Sequence, residues 1–471
     1  MNARFFFLLL FVYLFINEDV LPAQESNSPS EEITLVEGER YIFSSEVSGV
    51  DVIRKRIATC SNRVVMAKRN GETQIRIRSN TREKVINLKV LPKKKVEMRG
   101  EFPIMAWYSL QDDLSHKRFL ELSEAGFNLS FSYATDSIVP QMQRAIKSVI
   151  GTGVKLVIPF RGSWIDLKPI IDGFKNDENL WGWYVIDEPS FDSFDDIKRF
   201  VDRIQALDSS HPFYINLLPI YAPSSSFGNG SYEHYVNSYV ETFSPSFLSF
   251  DHYPITNSGV RKDFYSNLNI ISKIANQNRI PFWAFACSVK YSGSVPSPKL
   301  EHLRFEVFNA LAFGAQGIEY FTYTTPRNEH GGRYVSYAPL DVNQKKTKTY
   351  DYVKEVNARL RSIEHYIKDT KVKYIGTLCG KIDGVDRYPK SNLPEEIIGI
   401  SSTNTLLASW LEKESCSIFM LVNTDINKNS TVSIVFNNSL HKISNDGQIV
   451  SVSPIEVLKP GDMICYLIIK D

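Results

Sequence analysis

Trp183-Tyr184-Val185-Ile186-Asp187-Glu188-Pro189 is the stretch on which the fold turns. Aromatic and β-branched residues with no polar alternation read as a strand buried on both faces. Two carboxylates stand at its end, and a proline stops it. A helix follows at once. Ser193-x-x-Asp196 opens it, and Ile197, Phe200, Val201, Ile204 and Leu207 recur at i, i+3, i+4, i+7. The same strand-then-helix unit repeats on both sides. Strand-like runs lie at Pro103–Ser109, Phe127–Thr135, Val154–Arg161, Trp181–Glu188, Phe213–Pro219, Phe247–Pro254, Pro281–Ser288 and Gly317–Thr324. Helical stretches between them stop at glycines. Gly126 ends the first, Gly151 or Gly153 the second, and Gly314 closes the stripe Leu300, Leu303, Val307, Leu311. Eight alternations over roughly 260 residues predict an α/β fold of the (β/α)8 TIM-barrel type. A doubly wound sheet would carry a glycine-rich phosphate turn after its first strand, and Trp107-Tyr108-Ser109-Leu110-Gln111 is not one.

Outside this region the period changes to that of short strands separated by turns. Residues 31–92 hold runs such as Ile33-Thr34-Leu35-Val36 and Val85-Ile86-Asn87-Leu88-Lys89-Val90, with turn signals at Glu37-Gly38 and Asn70-Gly71. Pro92-Lys93-Lys94-Lys95 reads as a solvated linker. Residues 371–471 return to strands, among them Leu406–Leu411, Ser417–Asn423 and Met463–Ile469, with turns at Asn445-Asp446-Gly447 and Pro460-Gly461. The expected organisation is an N-terminal β-sandwich at 31–92, a barrel at 100–370 and a C-terminal β-sandwich at 371–471. Residues 1–23 read as an export signal. Arg4 precedes an unbroken apolar run of 12 residues, Phe5–Ile16, and Ala23 offers a small residue for cleavage. The run is short of the roughly 20 residues a bilayer span needs. The mature chain is therefore expected outside the cytoplasm, periplasmic or extracellular, with no membrane span.

Composition narrows the partners. The 471 residues are 43% hydrophobic and 23% charged, and the formal net charge is +1. This is ordinary globular usage, and it offers no basic excess for a nucleic acid. Five cysteines, Cys60, Cys287, Cys379, Cys416 and Cys465, are scattered with no CxxC, so no disulfide framework is expected. No zinc spacing, calcium loop, Walker A or GxGxxG pattern occurs, so no metal and no cofactor is expected.

Barrel chemistry sits at the C-terminal ends of the strands. On strand four these are Asp187 and Glu188. A carboxyl buried among aromatics gains proton affinity, which suits a general acid at neutral pH. The plainer roles for the two are capping the next helix or pairing with Arg161. Asp251 ends strand six and is a second carboxylate. Its plainer role is to orient His252 or Tyr253. Glu319 stands some 15 Å below the rim of strand eight, where an inner-layer partner is expected. Glu329 lies in a loop. Trp107, Tyr108, Tyr133, Arg161, Asn216, Tyr253, Trp283 and Tyr323, with Trp164 after strand three, are candidate rim residues for a ligand that aromatic faces and polar groups can hold.

Asp187-Glu188-Pro189 at the end of strand four resembles the Asn/Asp-Glu-Pro acid/base motif of clan A (β/α)8 glycoside hydrolases, which include the family 5 glycanases and the family 42 β-galactosidases. Phe250-Asp251-His252-Tyr253-Pro254 is similar to the His/Tyr-Pro segment of their strand six. Gly314–Tyr323 resembles their last strand. The resemblance spans roughly 102–368 and implies Glu188 as proton donor in hydrolysis of an O-glycosidic bond of a poly- or oligosaccharide. One element departs from it. That clan carries a glutamate nucleophile at the end of strand seven, and Pro281-Phe282-Trp283-Ala284-Phe285-Ala286-Cys287-Ser288 holds no carboxylate. Asp187 or Asp251 must then supply the second carboxylate. The alternatives are a catalytically silent carbohydrate-binding protein on this scaffold, and an ester or amide hydrolase using Cys287 or Ser288 with His252.

Overall fold

The computed structural model describes residues 32–36, 40–43, 47–61, 63–79, 82–91, 101–131, 138–160, 167–228, 230–291, 294–326, 334–335, 337–414, 416–437 and 440–469. The export-signal reading at 1–23 lies outside these. The chain divides into two compact units, Met1–Lys95 and Val96–Asp471.

The first unit holds a four-stranded sheet, ordered Glu32–Val36, Glu83–Leu91, Gly71–Ser79, Val47–Val52, and a three-stranded sheet, ordered Arg40–Ile42, Val64–Ala67, Ala58–Ser61. Strict alternation builds it. Thr73, Ile75 and Ile77 point inward, while Glu72, Gln74, Arg76 and Arg78 face water. Ile33, Leu35, Val52, Val65, Ile86 and Leu88 complete a small core of their own.

The second unit is a closed barrel of eight parallel strands with a β-sheet layer packed on its helices. The strands are one Ile104–Trp107, two Leu129–Phe131, three Lys155–Pro159, four Leu180–Asp187, five Phe213–Leu217, six Leu248–Phe250, seven Phe282–Cys287 and eight Gly317–Phe321. Strand eight pairs with strand one, Glu319 opposite Met105 and Phe321 opposite Trp107, which closes the ring. A helix follows each strand, and the fold matches the α/β barrel read from the sequence. Ile104, Ala106, Ile318 and Tyr320 face the helices. Met105, Trp107, Phe131, Tyr184, Tyr214, Trp283 and Phe285 fill the interior.

The C-terminal strands form a six-stranded sheet, beginning with Lys371–Leu378, Leu406–Glu412 and Cys416–Asn423, and a three-stranded sheet of Ile397–Ser402, Ser430–Phe436 and Ile455–Leu458. Leu406, Ala408, Phe419 and Leu421 face the smaller sheet. Leu407, Leu411, Ile418, Met420 and Val422 belong to the core shared with the barrel helices. Burial on both faces explains why Ser417–Val422 reads as a nearly unbroken apolar run. The approach is close. A Cβ on Gly461 would stand 2.5 Å from the carbonyl oxygen of Glu301 and 2.7 Å from the amide nitrogen of Phe305, and its φ of +67° already favours glycine.

The helix after strand seven, Leu300–Ala312, inserts a carboxyl under the sheet. Glu306 is buried and accepts the amide hydrogen of Cys287 at 2.5 Å. Burial pushes Glu306 and Glu319 up to about 8, and Asp187 up to about 7. Such groups stay protonated in the folded chain and ionise on unfolding. Stability therefore falls as pH rises from the ordinary carboxylate range through these raised values. Buried His252 and His302 are pushed down from 6.5 and act in the opposite sense, but only below that value. Asp208 and Asp263 are pushed below the carboxylate range by hydrogen bonds and ion pairing, so they matter only in acid. Between pH 6.5 and 8 the raised carboxyls dominate. The urea midpoint of the barrel unit is expected to fall across this interval. Glu306→Gln, which keeps an acceptor for Cys287, is expected to flatten the fall, and an unchanged slope would refute the assignment.

Candidate functional site

Local backbone geometry at the end of strand four presents the carboxyls. Strands four and five pair Tyr184 with Tyr214, Ile186 with Ile215 and Asp187 with Asn216, so Val185 is an extra residue, a β-bulge. Side chains alternate along a strand, and Tyr184 faces the interior. Without the bulge Asp187 would face the helices; with it Asp187 faces inward beside Asn216. The next residue, Glu188, has φ +48°, the left-handed region that non-glycine residues rarely occupy. Its amide donates to the carbonyl of Asn216 at 2.8 Å. Beyond Pro189 the chain is tied down by Tyr235, whose hydroxyl donates to the Pro189 carbonyl at 2.7 Å. The following helix starts at Phe194 with Ser193 as its N-cap, so neither carboxylate caps it.

Two carboxyls converge on one amide, and a third joins them through Asp251. Nδ2 of Asn216 donates to Oδ1 of Asp187 at 3.0 Å and to Oδ1 of Asp251 at 3.2 Å. Asp251 and Glu188 hydrogen-bond each other through their side chains. Two carboxyls can do so only by sharing a proton. Burial raises both, and the charges of Glu188 and Asp187 raise Asp251 further. Asp187 reaches about 7 because it is buried beside Glu188, a rise that the Asn216 hydrogen bond limits. The structure thus brings together the three carboxyls named from sequence, with Asn216 between them.

A wall forms beside Asp251. Its neighbour His252 is buried, with Nε2 3.1 Å from Oδ1 of Asp263. The ring of Tyr221 meets His252 edge-on, and the guanidinium of Arg261 lies 3.9 Å from the centroid of the Tyr221 ring. Tyr221 is 38% exposed. It escaped the sequence reading because it sits past strand five, on a loop that no periodicity marks. Ser249 and Tyr214 escaped it as well, since a lone Ser or Tyr inside an apolar run carries no signal.

Three of the aromatic rim candidates are almost fully buried. Trp283 is 1% exposed and packs on Phe247 at 4.4 Å and Trp181 at 5.0 Å. It is the second residue of strand seven, so it lies at the bottom of the barrel, roughly 13 Å below Cys287. Tyr323, also 1% exposed, stacks edge-on against Phe127 in the layer between strands and helices. Trp107 is 4% exposed and is wedged inside the barrel among Phe131, Tyr184, Phe285 and Phe321. In each case the aromatic packs against other core aromatics. Tyr108 and Tyr253 follow strands one and six, both half-buried, with the Tyr253 ring 5.7 Å from Phe321. Tyr133, Arg161, Trp164 and Glu329 lie outside the described residues.

The ester or amide reading fails on geometry. Cys287 donates to the carbonyl of Val289 at 3.3 Å, and Ser288 to that of Thr322 at 2.9 Å. Burial pushes the Cys287 thiol well up, away from thiolate. His252 is committed to Asp263 and hydrogen-bonds neither. Among the described residues no group of three or more His, Cys, Asp and Glu side chains is arranged to hold a metal ion. Nor is any helix there long and apolar enough to cross a membrane.

No protein-family model and no curated protein matches the sequence. Solved structures match its fold. A catalytic mutant of a GH42 β-galactosidase from G. stearothermophilus aligns at a TM-score of 0.58 with 8% identity, over 80% of this chain and 100% of that one. A glucosidase from Croceicoccus marinus aligns at 0.43 with 9% identity, over 79% and 96%. A β-galactosidase from the psychrophilic Marinomonas ef1 aligns at 0.42 with 9% identity, over 56% and 60%. At such identities the likeness is one of fold, and the chain has the barrel scaffold found in a GH42 glycoside hydrolase.

Proposed function

We propose that the chain hydrolyses O-glycosidic bonds of a poly- or oligosaccharide, with Glu188 as the general acid. The observation that carries this is the gathering of Glu188, Asp187 and Asp251 around Asn216 at the mouth of a barrel with a glycosidase-like scaffold. A shared, buried proton is the equipment for protonating a leaving oxygen near neutral pH. Asp251 serves as the second carboxylate. The two carboxyls lie near enough to shift each other's proton affinity, which fits the shorter retaining spacing of about 5–5.5 Å better than the roughly 6.5–9.5 Å of an inverting pair. Among the described residues, Tyr108 and Tyr253, half-exposed beside the strand ends, offer aromatic faces for sugar.

The second reading is a silent carbohydrate-binding protein, and the carboxylate-free strand seven favours it. Release of reducing ends from a panel of plant and host glycans separates the two. On a cleaved glycan, Glu188→Gln and Asp251→Asn are each expected to lose on the order of 100-fold or more in kcat with unchanged melting temperature. The first product seen by NMR should retain the anomeric configuration. Binding without release, insensitive to Glu188→Gln, would establish the silent scaffold instead.

The pH dependence follows from the same cluster. The acid must be protonated, so kcat/KM is expected to fall as pH rises through the raised values of the pair. Asp187→Asn removes a like charge facing Asp251 while leaving an oxygen for Asn216. The alkaline limb should move to lower pH in that variant; a limb that stays in place would show that Asp187 does not tune the pair.

A further inference from the structure

Below the mouth the network continues through groups the proposed hydrolysis does not use. Ser249 Oγ lies 2.9 Å from Oδ1 of Asn216 and 2.7 Å from Oε2 of Glu319, with the Tyr214 hydroxyl at 3.4 Å. All four residues are buried. A serine hydroxyl has one hydrogen and two lone pairs. It cannot donate to both Asn216 and Glu319. If it donates to Asn216, then Glu319 must carry a proton and donate to it. If it donates to Glu319, then two lone pairs face each other across the Asn216 contact, unless Asn216 turns over. A turned Asn216 would aim its oxygen at Asp187 and Asp251, and at least one of them would have to surrender a proton toward it. The network therefore has a direction, and the location of one proton sets it.

Resting on the glycosidase reading of the same site, we propose that Glu319 is a positioning residue. Held as the neutral acid, it donates to Ser249, Ser249 donates to Oδ1 of Asn216, and both hydrogens of the Asn216 amide are thereby turned onto Asp187 and Asp251. Burial supports the neutral form. Glu319 is fully enclosed, Phe285 and Met105 flank it on strands seven and one, and among the described residues no cation figures in its proton affinity. The titratable groups that face it are Tyr214 from strand five and Asp187 from strand four. The Asp187 charge raises Glu319 further, and the Tyr214 and Ser249 hydroxyls oppose the rise; the balance leaves it at about 8. With Glu319 protonated, Asp187 and Asp251 each receive one amide hydrogen, and the proton shared by Asp251 and Glu188 remains at the mouth. Ionised Glu319 would draw the Ser249 hydrogen to itself and reverse the relay.

The test uses the full chain and two variants. Glu319→Gln keeps a donor toward Ser249 but cannot ionise; Glu319→Leu removes the donor. Infrared difference spectra of wild type minus Glu319→Gln at pH 6.5 should show the C=O stretch of a protonated carboxyl, and that band should vanish at alkaline pH. Absence of the band overturns the proposal whether or not any glycan is cleaved, so its failure is distinct from failure of the glycosidase reading. On a cleaved glycan, Glu319→Gln should keep kcat within about threefold at pH 6.5, whereas Glu319→Leu should lose about 10-fold or more with KM little changed. The alkaline limb should reflect two ionisations in wild type and one in Glu319→Gln. A Gln variant as impaired as the Leu variant, or an unchanged limb, would reduce Glu319 to a packing residue.

Discussion

Closing eight strands into one ring sends every second side chain of each strand into a space that water does not fill, and the polar ones among them must satisfy one another. Most of that space here is taken by Met105, Trp107, Phe131, Tyr184, Tyr214, Trp283 and Phe285. The remainder is a polar column running from Glu319 through Ser249 and Asn216 to Asp187 and Asp251. Each member is where it is because the pairing of neighbouring strands puts it there: Asp187 opposite Asn216, Asn216 opposite Ser249. The aromatic packing around the column removes competing water, and that strengthens every interaction within it.

The same enclosure explains the proton affinities. Among the described residues no lysine or arginine figures in the proton affinity of these carboxyls; each gains affinity for its proton from burial first and from the others second. Carboxyls deeper in the fold can therefore remain neutral while the pair at the mouth shares a proton. Glu306 shows the same physics outside the barrel interior, where a buried carboxyl from the helix of strand seven accepts the backbone hydrogen of Cys287. Glu188, by contrast, is placed by its backbone. Its left-handed φ lifts the side chain toward Asp251 after the strand has ended, at a conformational cost of about 1 kcal/mol or more.

The (β/α)8 fold was legible in the chain because its signals are local. Apolar strand runs, 3.6-residue stripes and glycine stops mark each βα unit without reference to the others, and eight of them leave few architectures open. The three carboxyls were legible for a related reason. A carboxyl at the end of a buried run is costly to enclose without a partner, so Asp187, Glu188 and Asp251 stood out. The aromatics did not separate in this way. Trp107, Trp283 and Tyr323 serve a core as readily as a sugar, and nothing in the residue itself says which.

The chain alone thus determined the order of the elements and which strand ends bear acids, since both follow from periodicity and from what may be buried. Tertiary structure decided which way those acids face. One extra residue at Val185 reverses the parity of strand four and turns Asp187 into the barrel, and only the pairing with strand five reveals it. It also decided that Ser249 and Glu319, 70 residues apart, lie within hydrogen-bond reach. Contacts across a closed ring depend on the register of every strand between them, and no single stretch of sequence carries that information.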